Sequence, residues 1–382
     1  MKVIIACGGT GGHLFPGLAV AECLWEASHE VRLLVSERAI ESTWLSDWRE
    51  RLAGRTTVQT LPAIGYGGGR RLMRFCSRLA RAVRECGVIY RAFEPDVILG
   101  MGGYTSAPAV LAARWFGRRR PVVLHESNAV PGRANRWSSR YADWVAVGWS
   151  GCEQYFRRET VSVTGTPMRA RLRSGQRLPG AKRRLGLDES RTTVLVMGGS
   201  QGARSLNEAV MEALPWLGRW RDRLQFVHLT GVQDEVRMRA AYERQELRAC
   251  VMAFCHEMEW AYSAADVVVA RSGAATLTEL AAFGLPAVLV PYPHAAGNHQ
   301  WHNAQVFARA GAAVVLEDAA IKPCGAGDCG RRFAETVMEV VLDARRRAAM
   351  GNAARALSRP DATERVVELL MRLGTRQETL VA

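Results

Sequence analysis

The sequence predicts an α/β protein made of two doubly wound, Rossmann-like domains, and three observations carry that expectation. Short apolar runs bounded by Gly or Pro alternate with longer segments of helical period: residues 3–7, 31–35, 97–100, 122–124, 144–147 and 193–197, then 224–229, 251–254, 267–270, 287–290 and 313–316. Runs this apolar are buried on both faces, as in parallel strands sandwiched between helices. The pattern also restarts. Val3-Ile4-Ile5-Ala6-Cys7 leads into Gly8-Gly9-Thr10-Gly11-Gly12, and Val194-Leu195-Val196-Met197 leads into Gly198-Gly199-Ser200-Gln201-Gly202, each loop opening a helix. Two such openings half a chain apart indicate two similar domains facing one another across a cleft. Finally, 382 residues exceed one core of roughly 150 residues. The join is expected near Thr164-Gly165-Thr166-Pro167, followed by a polar, basic lead-in over residues 169–187.

Composition bounds the class. The chain is 48% apolar and 23% charged, an ordinary globular balance. The charge is less ordinary: 51 Lys and Arg against 37 Asp and Glu leave +14, which points to an anionic partner without choosing among nucleic acid, acidic lipid and phosphorylated substrate. Nine cysteines scattered singly through apolar contexts read as reduced and cytoplasmic. The close pair Cys324 and Cys329 lacks a second Cys or His pair to complete a zinc site. The apolar N-terminal run ends in glycines after one strand length, so it reads as a strand and not a signal peptide. No stretch reaches the roughly 18 to 20 apolar residues that span a bilayer, so membrane contact would be peripheral.

A strand that ends in glycines and opens a helix presents bare backbone N–H groups and the positive end of the helix dipole at one spot, an anion site. A third loop of this kind is Gly100-Met101-Gly102-Gly103-Tyr104-Thr105-Ser106-Ala107-Pro108. None of the three reads G-x-G-x-x-G or carries the Lys-Ser/Thr of a Walker loop, which weighs against nicotinamide and ATP. A tight βα turn with no ligand is the plain alternative for any one of them.

Polar residues just past the apolar runs are the chemical candidates. His13 follows the first glycine loop, and His125-Glu126-Ser127-Asn128 follows residues 122–124. Arg271-Ser272-Gly273-Ala274-Ala275-Thr276-Leu277-Thr278-Glu279 follows residues 267–270, and residues 294–303 follow the run at 287–290. Each has a bland reading too. Thr276 and Glu279 have the spacing of a helix capping box, and His125 with Glu126 could be a structural pair fixing its loop. A neutral imidazole at His13 could accept a proton as a general base, with His125 and Glu126 in reserve.

One helix stands apart. Between Arg70 and Arg91 seven arginines face a single acid, Glu85, while Leu72, Phe75, Cys76, Leu79, Val83 and Cys86 recur at three- and four-residue steps. This is an amphipathic helix with a basic flank that includes Arg71, Arg74 and Arg78. A second apolar and basic cluster follows at Trp115-Phe116-Gly117-Arg118-Arg119-Arg120. A surface helix with a solvated charged face is the common fate of such a pattern. The one-signed charge favours an anionic membrane surface.

Taken in order, the glycine loops, Gly102-Gly103-Tyr104, His125-Glu126-Ser127-Asn128, the segment from Arg271 to Glu279, and residues 300–303 resemble the MurG family of glycosyltransferases over most of the chain. The resemblance implies a GT-B fold, with residues 1–166 as the acceptor- and membrane-facing domain. Residues 167–355 would be the UDP-sugar-binding domain, and a C-terminal helix within 356–382 would pack back on the first. It implies inverting transfer of N-acetylglucosamine from UDP-N-acetylglucosamine to the 4-hydroxyl of the muramyl sugar of undecaprenyl-linked lipid I, forming lipid II for peptidoglycan. Carried over residue by residue, Thr10, Gly11, Gly12 and Asn128 meet the donor. Arg169, Ser200 and Ala274, Ala275, Thr276, Leu277, Thr278 and Glu279 hold the nucleotide and phosphates, with Glu279 on the ribose hydroxyls, and Gln300 holds the sugar. Gly102, Gly103 and Tyr104 receive the acceptor diphosphate. Cys255 stands where the family is usually aliphatic and the backbone meets uracil, and Ser127 stands where Gln is commoner. No cofactor is implied. Loop amides and a helix dipole replace a cation, in keeping with the lack of any Asp-x-Asp sequence. The implied partners are anionic lipids and other wall-synthesis and division proteins, at the cytoplasmic face of the inner membrane.

Two rival readings share part of this evidence. A UDP-N-acetylglucosamine 2-epimerase on the same fold would share the nucleotide loops, but the Gly-Gly-Tyr loop and the absence of a matching acid/base carboxylate set favour transfer. A basic nucleic-acid-binding protein has only net charge behind it, because no aromatic-interleaved basic motif is present.

Overall fold

The computed structural model of the protein describes residues 1–8, 11–36, 56–62, 72–116, 120–199, 202–321 and 328–375. The backbone divides into two compact units, Met1–Arg169 with Arg359–Ala382, and Ala170–Ser358.

In the first unit the described strands are β1 (Lys2–Ala6), β2 (Glu30–Ser36), β3 (Thr56–Leu61), β4 (Val97–Gly100), β5 (Val122–Glu126), β6 (Trp144–Val147) and β7 (Val161–Val163). They form one parallel sheet in the order β3-β2-β1-β4-β5-β6-β7. Successive side chains point to opposite faces, and both faces are covered. Val3 and Ile5 join Leu14 and Leu18 of α1 (Gly11–Glu26) and Val366, Leu369, Leu370 and Leu373 of the C-terminal helix Ala362–Thr375. Ile4 and Ala6 join the opposite cluster, under α2 (Leu72–Phe93) and α3 (Ser106–Trp115). Sandwiching on both sides explains the continuous apolar runs of the inner strands, such as residues 3–6 of β1 and 97–99 of β4. A short helix, α4 (Arg133–Ser138), follows β5.

The amphipathic helix forms as its spacing predicts, and its two halves differ. Val83, Cys86, Tyr90 and Phe93 are buried, and the Tyr90 hydroxyl donates to the Ala109 carbonyl at 2.8 Å, tying α2 to α3. Toward its start, Met73 is 82% exposed and Cys76 is exposed as well.

The second unit repeats the plan with β8 (Thr192–Met197), β9 (Leu224–Leu229), β10 (Ala249–Met252), β11 (Val267–Ala270), β12 (Ala287–Leu289) and β13 (Ala313–Val315). Their parallel order is β10-β9-β8-β11-β12-β13. Two single-turn helices, Ala170–Arg173 and Ala181–Arg184, lead in. The longer helices are α5 (Arg204–Leu217), α6 (Glu235–Arg244), α7 (Met258–Ala264), α8 (Ala274–Phe283), α9 (His299–Arg309), α10 (Asp328–Leu342) and α11 (Ala344–Ala356). One device recurs in both units. The aspartate just before a strand accepts an N–H at the start of the neighbouring strand: Asp96 from Lys2 at 2.7 Å, Asp143 from Val122 at 2.8 Å and Asp266 from Thr193, the second residue of β8, at 2.8 Å. Backbone donors that the ladder leaves over are thereby satisfied.

The structure corrects the sequence expectations in places. β10 lies two residues earlier than the apolar run at 251–254, because the ladder pairs Ala249 with Phe226 through Met252 with Leu229 and leaves residues 253–254 to the following loop. The edge strands β3 and β7 have no apolar run, reading Thr-Thr-Val-Gln-Thr-Leu and Val-Ser-Val, so they add to the strands that the sequence announces. Cys7, Cys23, Cys76, Cys86, Cys152, Cys250 and Cys255 are free thiols, but Cys329 is disulfide-bonded, so a uniformly reduced set does not hold. Among the described residues no helix is long and apolar enough to cross a membrane.

His228 on β9 gives this unit a pH dependence. The ring is fully buried, its Nε2–H donating to Asn207 Oδ1 at 3.1 Å and its Nδ1 accepting from the Tyr242 hydroxyl at 3.1 Å. Burial pushes its pKa down to about 3. The unfolded chain, with a histidine pKa of about 6.5, therefore binds the extra proton first. The neutral ring's contribution is complete above about pH 6.5 and is lost as pH falls toward 3. Between pH 7 and pH 5 the second unit should lose about 2 kcal/mol through this group. Urea unfolding at both pH values is the measurement, and a His228→Gln chain showing the same loss as wild type would overturn it.

Candidate active site

Ligands of open parallel sheets lie beyond the carboxyl ends of the strands, where the strand order reverses. In the first unit that point lies between β1 and β4, and in the second between β8 and β11. The three glycine loops leave β1, β4 and β8.

In the first unit, Gly11 and Gly12 open α1, where first-turn N–H groups have no helical partner. His13 follows at once and is half-buried. Its ring lies against bare backbone: a Cβ on Gly8 would stand 2.8 Å from His13 Nδ1. Gly102 is constrained twice, by a φ of +94° and by space, because a Cβ there would meet the Asn135 side-chain nitrogen at 2.8 Å and His13 Cδ2 at 3.3 Å. Gly103 brings the same loop to His13 Cε1, and Ser106 Oγ donates to the Gly103 carbonyl at 3.0 Å. Tyr104 is 40% exposed and meets Phe75 of α2 edge-on at 6.4 Å.

The loop after β5 is a buried polar network. His125 Nε2 lies 3.0 Å from the Gly165 carbonyl, which can only accept, so this nitrogen carries the proton. Nδ1 then accepts from Ser127 Oγ at 3.3 Å, which gives the shorter Ser127 a partner of its own. Burial pushes the His125 pKa down to about 4, with the nearby His13 adding in the same direction and the bond to Gly165 opposing. Glu126 is 1% exposed and receives four donors: Asn128 N and Nδ2, both at 2.9 Å, Gly132 N at 3.1 Å and Asn135 Nδ2 at 2.8 Å. Burial raises its carboxyl pKa and the four donors pull it back. The network fixes the turn that carries Asn128. Asn135, which nothing local in the sequence marks, also donates to the His125 carbonyl at 3.1 Å. It therefore links the loops after β4 and β5.

In the second unit, Arg271 is almost fully buried. It donates to the Val290 carbonyl at 3.0 Å, to the Pro291 carbonyl at 3.3 Å and to Ser205 Oγ at 2.6 Å, and it pairs with Asp318 at 2.7 Å. Ser272 Oγ donates to the Gln300 carbonyl at 2.7 Å, Asn303 Nδ2 to the Ser272 carbonyl at 3.2 Å, and the Tyr292 N–H to Gln300 Oε1 at 2.9 Å. These bonds hold the start of α9 beside the start of α8. The capping-box reading of Thr276 and Glu279 does not hold. α8 starts at Ala274 behind an extended Gly273, so both residues lie inside the helix. Glu279 instead accepts from the Tyr262 hydroxyl at 2.6 Å, and Thr278 Oγ1 donates to the Ala274 carbonyl at 2.9 Å. Ala274 and Leu277 are buried, while Ala275 and Thr276 are half-buried. Cys255 is buried, with its thiol pushed up to about 11 by burial.

Arg169 belongs to the first unit, its guanidinium 5.1 Å over the Phe15 ring. Of the residues expected at a membrane, Arg74 and Arg78 are exposed, Phe75 and Leu79 half-buried, and Trp115 is 62% exposed. Phe116 turns inward to the core beside Gly87. Leu72 opens α2. Thr10, Ser200, Arg70 and Arg71 lie outside the described residues, as do residues 322–327.

Residues 3–147 match the Glycosyltransferase family 28 N-terminal domain and residues 193–366 the Glycosyltransferase family 28 C-terminal domain. The chain is 38% identical to the UDP-N-acetylglucosamine--N-acetylmuramyl-(pentapeptide) pyrophosphoryl-undecaprenol N-acetylglucosamine transferase of Syntrophotalea carbinolica, covering 97% of this chain and 98% of that one. The chain belongs to this transferase family. The relative of the same name from Halothermothrix orenii is 32% identical, over 97% of this chain and 98% of its own. Among solved structures, MurG of Acinetobacter baumannii aligns with a TM-score of 0.75 at 28% identity, over 97% of this chain and 99% of that one. The two parallel α/β units are thus those of a GT-B glycosyltransferase. The UDP-GlcNAc 2-epimerase of Neisseria meningitidis, at 14% identity and a TM-score of 0.68 over 97% of this chain and all of that one, shares the fold alone.

Proposed function

We propose that the chain transfers N-acetylglucosamine from UDP-N-acetylglucosamine to the 4-hydroxyl of the muramyl sugar in undecaprenyl-diphosphoryl-MurNAc-pentapeptide. The observation that carries this reading is identity along nearly the whole chain to transferases of that name. The acceptor oxygen bonds to the anomeric carbon, the bond from that carbon to the β-phosphate oxygen breaks, and UDP leaves with the bonding pair. Attack from the opposite face inverts the centre and gives a β-1,4 link.

The second unit takes the donor. Glu279 accepts the ribose hydroxyls, the start of α8 directs N–H groups at the diphosphate, and Gln300 meets the sugar. The first unit takes the acceptor, its diphosphate at Gly102, Gly103 and Tyr104, with His13 beside them as the general base. His125 and Glu126, whose polar atoms are engaged within the fold, act by holding Asn128 in place. The exposed start of α2, with Arg74, Arg78 and Met73, and the exposed Trp115 support peripheral docking on anionic lipid at the cytoplasmic membrane face.

Radiolabelled UDP-N-acetylglucosamine and a lipid I analogue, presented in phosphatidylglycerol or in neutral vesicles, test this directly. Label is expected in the lipid product, in EDTA as in its absence, and faster on the acidic vesicles at low salt. No transfer on either surface would overturn the assignment. Loss in EDTA with rescue by magnesium would overturn the role given to the loop amides, and equal rates on both surfaces the role given to anionic lipid.

A further inference from the structure

Tyr262 has no assigned part in the reaction, yet its hydroxyl ends on the donor-site carboxylate. It sits in α7 with its side chain completely buried. The ring tilts against Phe283, one turn beyond Glu279 on α8, at 5.3 Å, and the hydroxyl lies 2.6 Å from Glu279 Oε2 and 3.8 Å from the sulfur of Met197, the last residue of β8. A 2.6 Å separation is what a hydroxyl donating to a carboxylate adopts. We propose that Tyr262 is the positioning residue that sets ribose recognition in this site, by donating to the Glu279 carboxylate and limiting the orientations in which it can meet the two ribose hydroxyls. The inference rests on the reading of Glu279 as the ribose acceptor.

The physical argument is one of preorganisation. Glu279 is half-buried on a helix, and its side chain has three rotatable bonds. Two neighbouring ribose hydroxyls need two acceptor sites at fixed spacing, and a carboxylate offers about four lone-pair directions. One is taken by the phenol, which approaches from the buried side. That bond removes rotamer freedom from the carboxylate before the ligand arrives. A mobile carboxylate would meet one hydroxyl nearly as well as two, and discrimination against a sugar lacking the 2′-hydroxyl would fall. A buried tyrosine always seeks a partner, and a purely structural hydroxyl would serve stability only. The two cases part on selectivity.

The test compares UDP with 2′-deoxy-UDP by calorimetry on the full chain, for wild type, Tyr262→Phe and Glu279→Ala. Phenylalanine keeps the ring packing and deletes only the donor. Wild type should favour UDP by about tenfold or more, and Tyr262→Phe should lower that ratio by about three- to tenfold, mainly through weaker UDP binding. KM for the donor should rise while kcat holds. Because both ligands report on the same folded molecules, the ratio is insensitive to any loss of stability. An unchanged ratio in Tyr262→Phe, with the ratio abolished in Glu279→Ala, would overturn the role of Tyr262 alone. An unchanged ratio in Glu279→Ala would overturn the ribose reading of Glu279 and the inference with it.

Discussion

His13→Ala is expected to lower turnover by about 10² to 10⁴ and to leave UDP affinity unchanged. The argument begins with the loops. The imidazole is pressed between Gly8 on one loop and Gly102 and Gly103 on another, each close enough that a Cβ would stand 2.8 to 3.4 Å from a ring atom. A ring so confined has little rotamer freedom, and its position beside the Gly-Gly-Tyr loop is where the acceptor's diphosphate-linked sugar would lie. A neutral imidazole there can take the proton of the 4-hydroxyl as that oxygen attacks. Methyl in place of imidazole removes the base and leaves the loop backbone as it is, and the proposed ribose contact Glu279 and the start of α8 belong to the other unit. Steady-state kinetics with saturating donor and acceptor, beside UDP calorimetry, separate the two effects. Turnover within threefold of wild type would exclude His13 from proton transfer. A parallel fall in UDP affinity would make the residue a donor contact instead.

The fold was legible because its strands are buried on both faces. Val3, Ile4, Ile5 and Ala6 are all inaccessible, and no other element packs a continuous apolar run so short. β3 was not legible: as an edge strand covered less well, it reads Thr-Thr-Val-Gln-Thr-Leu. The glycine loops were legible for a local reason, since the steric demand at Gly102 is met by the residue itself. The residues that missed notice take their meaning from distant partners. Tyr262 lies 17 residues from Glu279, Asn135 lies 9 from Glu126, and Asp318 lies 113 from Ser205. Each is an ordinary polar residue in its own neighbourhood, and only the folded chain brings it to a strand end. The capping-box spacing of Thr276 and Glu279 shows the converse, a local signal displaced by a tertiary bond. The helix had already begun at Ala274, and a buried phenol offered the carboxylate a better donor than a first-turn N–H.

Asp318→Ala should destabilise the second unit by about 3 to 5 kcal/mol. Asp318 lies in the short 3-10 turn Asp318–Ile321 after β13, and its side chain is 5% exposed against 7% for Arg271. Its Oδ1 accepts from Arg271 at 2.7 Å and from Ser205 Oγ at 3.3 Å. Arg271 meanwhile reaches the carbonyls at the exit of β12 and the first turn of α5, so one buried cation gathers three segments around the end of the sheet. Deleting the carboxylate strands that cation in a dry site, and the cost is mostly that of the uncompensated charge. Replacing both partners should therefore restore much of what the single change loses: Arg271→Met with Asp318→Ala is expected to unfold closer to wild type than Asp318→Ala alone. Donor binding should not recover in the double variant, because the guanidinium that ties the β12 exit to α5 is gone. Urea unfolding of the two single variants and the double, read beside UDP affinity, checks both halves. If Asp318→Ala unfolds within 1 kcal/mol of wild type, or if the double variant is the least stable of the three, the pair is not the buried brace that its geometry describes.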